Sequence, residues 1–242
     1  MPPKALFDFS HRPDKLVMPA CDECNRGTST ADLVAAVVSR WNYNSGPIEI
    51  QDHAKLLQRV RKHHSDIFAE WSGQLNLSER LKAIRHLSNY GVDVPMDAGL
   101  VTIGKLTISQ LNLFSHKAVL ALYFEHFKRV LLDRGRVAAY WRTKEDFHRG
   151  APPELLEMMQ QYGTLEQGRW NAKETFEYRF EVNQKEGLFA CLARLRGGLY
   201  VSGFAVSDVS ILETHEDADE IEWLKPSSLL AMVDSPDFAK KQ

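Results

Sequence analysis

Apolar positions fall into two periods along the chain, first helical and then alternating. Leu33, Val34, Val37 and Val38 recur at the spacing of a helix face, and Trp41 closes that segment. Leu56, Leu57 and Val60 repeat the pattern, as do Leu77, Leu81 and Ile84, so the middle of the chain is expected to be helical. The stretch from Asn42 to Pro47 and the proline- and glycine-marked connection from Gly91 to Gly104 interrupt it. A longer amphipathic segment starts at Ile108 and continues through Leu111, Phe114, Val119, Leu122, Tyr123 and Phe127 to Leu131, with Gly135 as its expected stop.

The period then switches to two. Thr175 to Val182 alternates apolar and polar as a half-buried strand does, and Leu188 to Leu195 and Leu199 to Val206 are further strand candidates. Between them, Asn183 to Gly187 and Arg196-Gly197-Gly198 read as hairpin turns. Three antiparallel strands set against helices predict the α+β class. Upstream of all this, Met1 to Asp14 has little periodicity and reads as an extended lead-in. Lys15-Leu16-Val17-Met18 is a short strand candidate, and Cys21 to Gly27 reads as a tight knuckle ended by its glycine. Ser29 is the expected N-cap of the next helix, with Asp32 placed to favour the N-terminal amides.

Composition narrows the function classes. The 242 residues are 44% hydrophobic and 26% charged, as in an ordinary globular protein able to bury a sizeable core. No apolar run approaches the roughly 20 residues that span a bilayer. Met1-Pro2-Pro3-Lys4 lacks the apolar core of a signal peptide, so the expected address is the cytoplasm. Three cysteines argue against a disulfide scaffold, and a net charge of −2 excludes a polycation that coats nucleic acid.

The charge is uneven, however. Between Lys55 and Arg85 the bases Lys55, Arg59, Arg61, Lys62, Arg80, Lys82 and Arg85 outnumber the acids Asp66, Glu70 and Glu79. A second basic stretch runs from Lys117 to Arg149, and Asp208 to Glu222 is acidic. This distribution fits an anionic partner on one face, and equally fits solvated helix surfaces with a loose acidic tail.

The chemistry lies at Cys21 and Cys24. A C-x-x-C spacing lets two thiolates reach one tetrahedral zinc, and by itself it is equally compatible with a redox pair or two unremarkable cysteines. The flanking residues add context. Pro2-Pro3-Lys4-Ala5-Leu6-Phe7 followed by Leu16-Val17-Met18-Pro19-Ala20-Cys21-Asp22-Glu23-Cys24-Asn25-Arg26-Gly27-Thr28-Ser29 resembles a branch of the HNH endonuclease group. There a first C-x-x-C, an acidic residue and a histidine precede P-P-K-x-L-F, and the second C-x-x-C is followed by N-x-G-T-S. A fainter similarity to the same proteins runs from Lys117-Ala118-Val119-Leu120-Ala121-Leu122-Tyr123 to the aromatic strand near Tyr178.

The resemblance implies a ββα-metal finger over residues 1–45, truncated because the histidine's position falls immediately before Met1; the hydrophobic periods add a helical region over 46–150 and a sheet region with the acidic stretch over 151–242. The resemblance further implies an endonuclease acting on DNA phosphodiester bonds, and the lack of a long apolar run implies no membrane partner. Cys21 and Cys24 would be two of four cysteines on a structural Zn²⁺, and Asn25 would contact a catalytic Mg²⁺ or similar ion. The general base and its acidic neighbour would lie upstream, so this chain is expected not to cleave; a start methionine placed too late and a true loss of the catalytic half both account for that. The second case gives the alternative reading, a non-catalytic nucleic-acid-binding or interaction protein. Arg59, Arg61, Lys62, Arg80, Lys82 and Arg85 are the candidate phosphate contacts.

Several residues keep a plainer alternative. Asn25 is equally suited to capping the knuckle's own backbone, and His11 is a loop histidine that could replace a ligand. Cys191 is expected as a buried thiol, and His63, His64, His116 and His126 as structural. Trp41, Trp71, Tyr123, Phe124, Phe127, Tyr140 and Trp141 are expected in the core rather than as base-stacking platforms.

Overall fold

The computed structural model describes residues 4–7, 20, 22–41, 47–73, 75–89, 99–144, 146, 157, 159–164, 166–167, 170–171, 175–214, 220–229 and 231–234. The expected strand at Lys15–Met18, together with His11 and Cys21, lies outside them. The helices are α1 (Asp22–Gly27), α2 (Ser29–Val38), α3 (Pro47–His63), α4 (Ser65–Trp71), α5 (Leu77–Asn89) and α6 (Lys105–Phe127). The strands are β1 (Arg136–Thr143), β2 (Gln161–Thr164), β3 (Glu166–Gln167), β4 (Trp170–Asn171), β5 (Phe176–Asn183), β6 (Leu188–Leu195) and β7 (Leu199–Val206). The mixed α+β class holds.

The sheet has five antiparallel strands in the order β1-β7-β6-β5-β2, with β3 and β4 forming a separate two-stranded pair. The three expected strands form its centre as a meander. In the turn between β5 and β6, Asn183 Oδ1 accepts from the amides of Lys185 and Glu186. The turn between β6 and β7 places Arg196 and Gly197 at φ 49° and 81° and closes with Gly198 N–H donating to Leu195 O. The alternation that signals a strand is weak in β1 and β2. Arg-Val-Ala-Ala-Tyr-Trp-Arg-Thr carries two adjacent alanines, and Gln-Tyr-Gly-Thr is an edge strand with a glycine.

Helix α6 is the axis of the core. It was expected to be amphipathic, to start at Ile108 and to run on to Gly135. Instead it spans Lys105–Phe127, and Lys128 ends it by adopting the left-handed conformation at φ 53°. Its face is not one stripe: Leu111, Leu113, Phe114, Ala118, Val119, Leu122 and Tyr123 are all buried. A helix apolar all round is enclosed by protein. Here the sheet packs on one side, through β1 and β7, and α2 and α4 on another. Gly203 of β7 leaves room for α6 and β1, since a Cβ there would lie 2.5 Å from both Ala138 O and Val119 Cγ2.

The first turn of α6 is capped from outside. Its N-cap, Gly104, has no side chain, and Glu70 of α4 takes the role. Glu70 Oε1 accepts from Leu106 N–H at 2.9 Å, and Oε2 accepts from Thr107 N–H at 3.0 Å and Thr107 Oγ1 at 2.7 Å. Thr107 Oγ1 in turn accepts from Trp71 Nε1 at 2.8 Å. A carboxylate at this position satisfies orphan amides and complements the helix dipole.

The polypeptide after β7 returns to β1. Leu224 and Val137 exchange both backbone hydrogen bonds at 2.9 Å, covering part of the β1 edge. Met232 O accepts from Ser109 Oγ of α6, holding the short helix Ala231–Asp234 against it. No helix of the described residues is long and apolar enough to cross a membrane.

Candidate functional site

The segment from Cys21 to Gly27 does not form the expected tight knuckle: from Asp22 to Gly27 it is helical. Nor is Ser29 the N-cap of α2. That position belongs to Thr28, whose hydroxyl and amide both donate to Cys24 O, at 2.7 and 3.2 Å, while Ser29 Oγ donates to Arg26 O at 2.8 Å. Both hydroxyl residues tie α2 back onto α1, so the two helices follow each other through a single bend at Thr28. This local competition of Ser and Thr with ordinary capping is why the boundary moved.

The base of this unit is rigid. Leu33, Val34, Val37 and Val38 are buried as expected, and Ala31, Ala35 and Ala36 join them. Ahead of α1, Leu6 and Phe7 of the P-P-K-A-L-F segment are buried in the same core, and Leu6 O accepts from Arg196 Nε at 2.7 Å and Arg40 Nη2 at 3.3 Å. Asp32, expected to serve the helix amides, instead accepts from Lys117 Nζ of α6 at 2.8 and 2.7 Å. Both side chains are less than a fifth exposed. Burial pushes the Asp32 carboxyl above its ordinary value, with the Lys117 ammonium opposing that shift.

Cys24 and Asn25 are exposed on α1. As consecutive residues of a helix they diverge by about 100° and do not face one another. Among the described residues no three His, Cys, Asp or Glu side chains are grouped to hold a metal ion. Asn25 alone offers one neutral oxygen where Mg²⁺ favours carboxylates.

The predicted phosphate contacts separate into two groups. Arg59, Arg61 and Lys62 are exposed on α3, where Arg61 lies over the Phe68 ring at 5.9 Å; Lys55, exposed on the same helix, pairs with Asp52 at 3.2 Å. Lys82 and Arg85 are exposed on α5, and Arg80 is half-buried there. Helix α5 begins with a reciprocal capping box in which Glu79 N–H donates to Asn76 Oδ1 at 2.9 Å and Asn76 N–H to Glu79 Oε2 at 3.0 Å. None of its residues is buried, and Leu77 is 72% exposed. Its helical spacing was legible; that its apolar stripe stays uncovered was not.

The remaining expectations fall in the core. Cys191 is buried, and desolvation drives its thiol well above the ordinary range. His116 is buried beside Asn112 O at 2.8 Å, and desolvation lowers its pKa. His126 lies tilted against Phe180 with centroids 4.0 Å apart, and 3.2 Å from Tyr178 Oη. Burial pushes Tyr178 up to about 12. Trp71 and Tyr123 are buried, and Trp41, Phe124, Phe127, Tyr140 and Trp141 are partly so, consistent with a core role. Trp141 Nε1 donates to Asn112 Oδ1 at 2.7 Å, which ties β1 to α6.

No protein-family model, curated protein or solved structure matches this chain.

Proposed function

We propose that this chain is an HNH-type metal-dependent endonuclease acting on DNA phosphodiester bonds, with α1 and α2 as the second half of its finger. The observation that supports this reading is the Asp32–Lys117 bond. The finger-like segment up to Ser29 leads into α2, and Lys117-Ala118-Val119-Leu120-Ala121-Leu122-Tyr123 lies in α6; these are the two stretches that carry the resemblance. A buried ion pair joins them into one packed unit, although they are far apart in sequence. In this reading Cys21 and Cys24 contribute two thiolates to a structural zinc, Asn25 faces the catalytic cation, and the cations of α3 and α5 hold phosphate. Residues 1–242 are then expected to bind DNA and leave it uncut, since the histidine and acidic neighbour that the resemblance implies have no counterpart among them.

The test combines plasmid nicking in added Mg²⁺ or Mn²⁺ with zinc content and DNA affinity of the Cys21→Ser variant. The expected result is an intact supercoiled plasmid, with zinc content and DNA affinity both lowered by the substitution. Metal-dependent nicking would show that a base within these residues acts, and would overturn its assignment upstream. An unchanged zinc content and affinity would remove the finger from the account.

The second reading is a non-catalytic nucleic-acid-binding protein derived from such a nuclease. The exposed cations of α3 favour it, because phosphate binding there needs no catalytic group. DNA retention without nicking by the protein as its host makes it, if that protein starts at Met1, separates this reading from the first.

A further inference from the structure

Helix α3 has one face in the core and the other in solvent. Leu56 and Val60 are buried, and the helix packs on α2 and α4, so its axis is fixed. On the opposite arc Gln51, Ala54, Lys55, Gln58, Arg59 and Lys62 are exposed. Positions 51, 55, 58 and 62 are spaced by four, three and four residues, which aligns them in one row along the helix. From His53 to His63 there is no acidic residue. Asp52, at the end of the row, is tied to Lys55.

This combination is more specific than a basic patch. Lysines in the row suit phosphate oxygens, which position a protein without reading sequence. Glutamine and arginine between them are the side chains that pair bidentately with adenine and guanine edges in the major groove. Ala54, beside the row, keeps that flank low enough for close approach. Both helices leave apolar side chains exposed, Ile50 at 58% on α3 and Leu77 at 72% and Leu81 at 44% on α5, but only α3 buries residues on its opposite face. The helix is about 25 Å long, and the major groove of B-DNA, about 12 Å wide, admits a helix, whereas the deep, narrow groove of A-form RNA does not.

We propose that α3 is a groove-reading helix that enters the major groove of duplex DNA, with Lys55 and Lys62 on phosphates and Gln51, Gln58 and Arg59 at base edges. The proposal rests on the reading of this chain as a DNA-binding protein and adds the element, the groove and the residues.

The experiment measures binding of the full chain to a labelled DNA duplex over a range of salt. The variants are K55E/R59E/K62E and, as a charge-matched reference on exposed residues away from α3, R142E/K185E/K225E. The triple reversal is expected to weaken binding about 100-fold, and the reference about threefold or less, because close phosphate contacts dominate affinity. Lys55→Ala and Lys62→Ala should each flatten the slope of log K against log salt by about 1, whereas Arg59→Ala and Gln58→Ala should mainly relax the preference among duplex sequences. Circular dichroism confirms that each variant stays folded. If the wild type binds and the triple reversal binds equally well, the α3 proposal fails while DNA binding stands. If the wild type binds no duplex DNA, both fail. Equal affinity for duplex RNA overturns the groove mode.

Discussion

Glu70 caps a helix of which it is not part, and that predicts a specific non-additivity. Its carboxylate accepts from two backbone amides and the Thr107 hydroxyl at the start of α6. Losing a cap costs about 0.5–2 kcal/mol, and losing the negative charge at a helix N-terminus adds about 0.3–1. Because the cap serves two amides and leaves a buried hydroxyl without its acceptor, Glu70→Ala is expected to cost about 2–3 kcal/mol. For a chain of this size that lowers the melting temperature by roughly 5–10 °C. Gly104 supplies the second arm of the cycle. Its backbone, at φ −92° and ψ −177°, suits alanine, yet an added Cβ would lie 2.5 Å from Glu70 Oε1. The carboxylate must then leave, so Gly104→Ala should cost about 2 kcal/mol in the wild type and less than about 0.5 once Glu70 is alanine. Urea unfolding of the four proteins, with m-values compared, measures the coupling. An equal cost of Gly104→Ala in both backgrounds would refute the cap.

Three further outcomes follow from the packing. Lys117→Met leaves the Asp32 carboxylate buried without its ammonium and should cost about 3 kcal/mol, whereas the double variant Asp32→Leu/Lys117→Met should recover most of that in urea unfolding. If the double variant is as unstable as the single, the pair does not act through charge. Gly203→Ala forces a methyl group between Ala138 O and Val119 and should cost about 3 kcal/mol, with near-ultraviolet dichroism reporting loosened packing of α6 on the sheet. Burial holds the His116 pKa below 6.5, and those of His53 and His126 likewise. The unfolded chain therefore takes up protons first, so stability falls as the pH drops through 6.5 and levels off below the folded values. His116→Gln should make this decline shallower; an unchanged pH profile would remove His116 from it.

Much of the architecture was legible in the sequence because period and turn chemistry agreed. Strand β5 alternates apolar and polar positions, and it is joined to β6, and β6 to β7, by turns with Gly187 and Gly197 at positive φ. Strand β1 was not legible, because its adjacent alanines fit a site where helix and sheet meet closely, and only the tertiary neighbours reveal that. The stop of α6 was misplaced at Gly135 for a related reason: Lys128 adopts a conformation usually left to glycine. At the candidate site, spacing and resemblance singled out Cys24 and Asn25 as candidate metal ligands, both of which are exposed on α1, whereas Asp32 looked like a local helix-start residue. Its partner Lys117 is 85 positions away, and only the fold brings them together.

The most direct test of the DNA reading is the salt dependence of wild-type affinity for duplex DNA. Each phosphate neutralised contributes a slope of about −0.9 in log K against log salt, so the two α3 lysines on phosphates predict a slope of about −2, and each further cation in contact makes it steeper. A slope near zero, or no binding at low salt, would contradict the account.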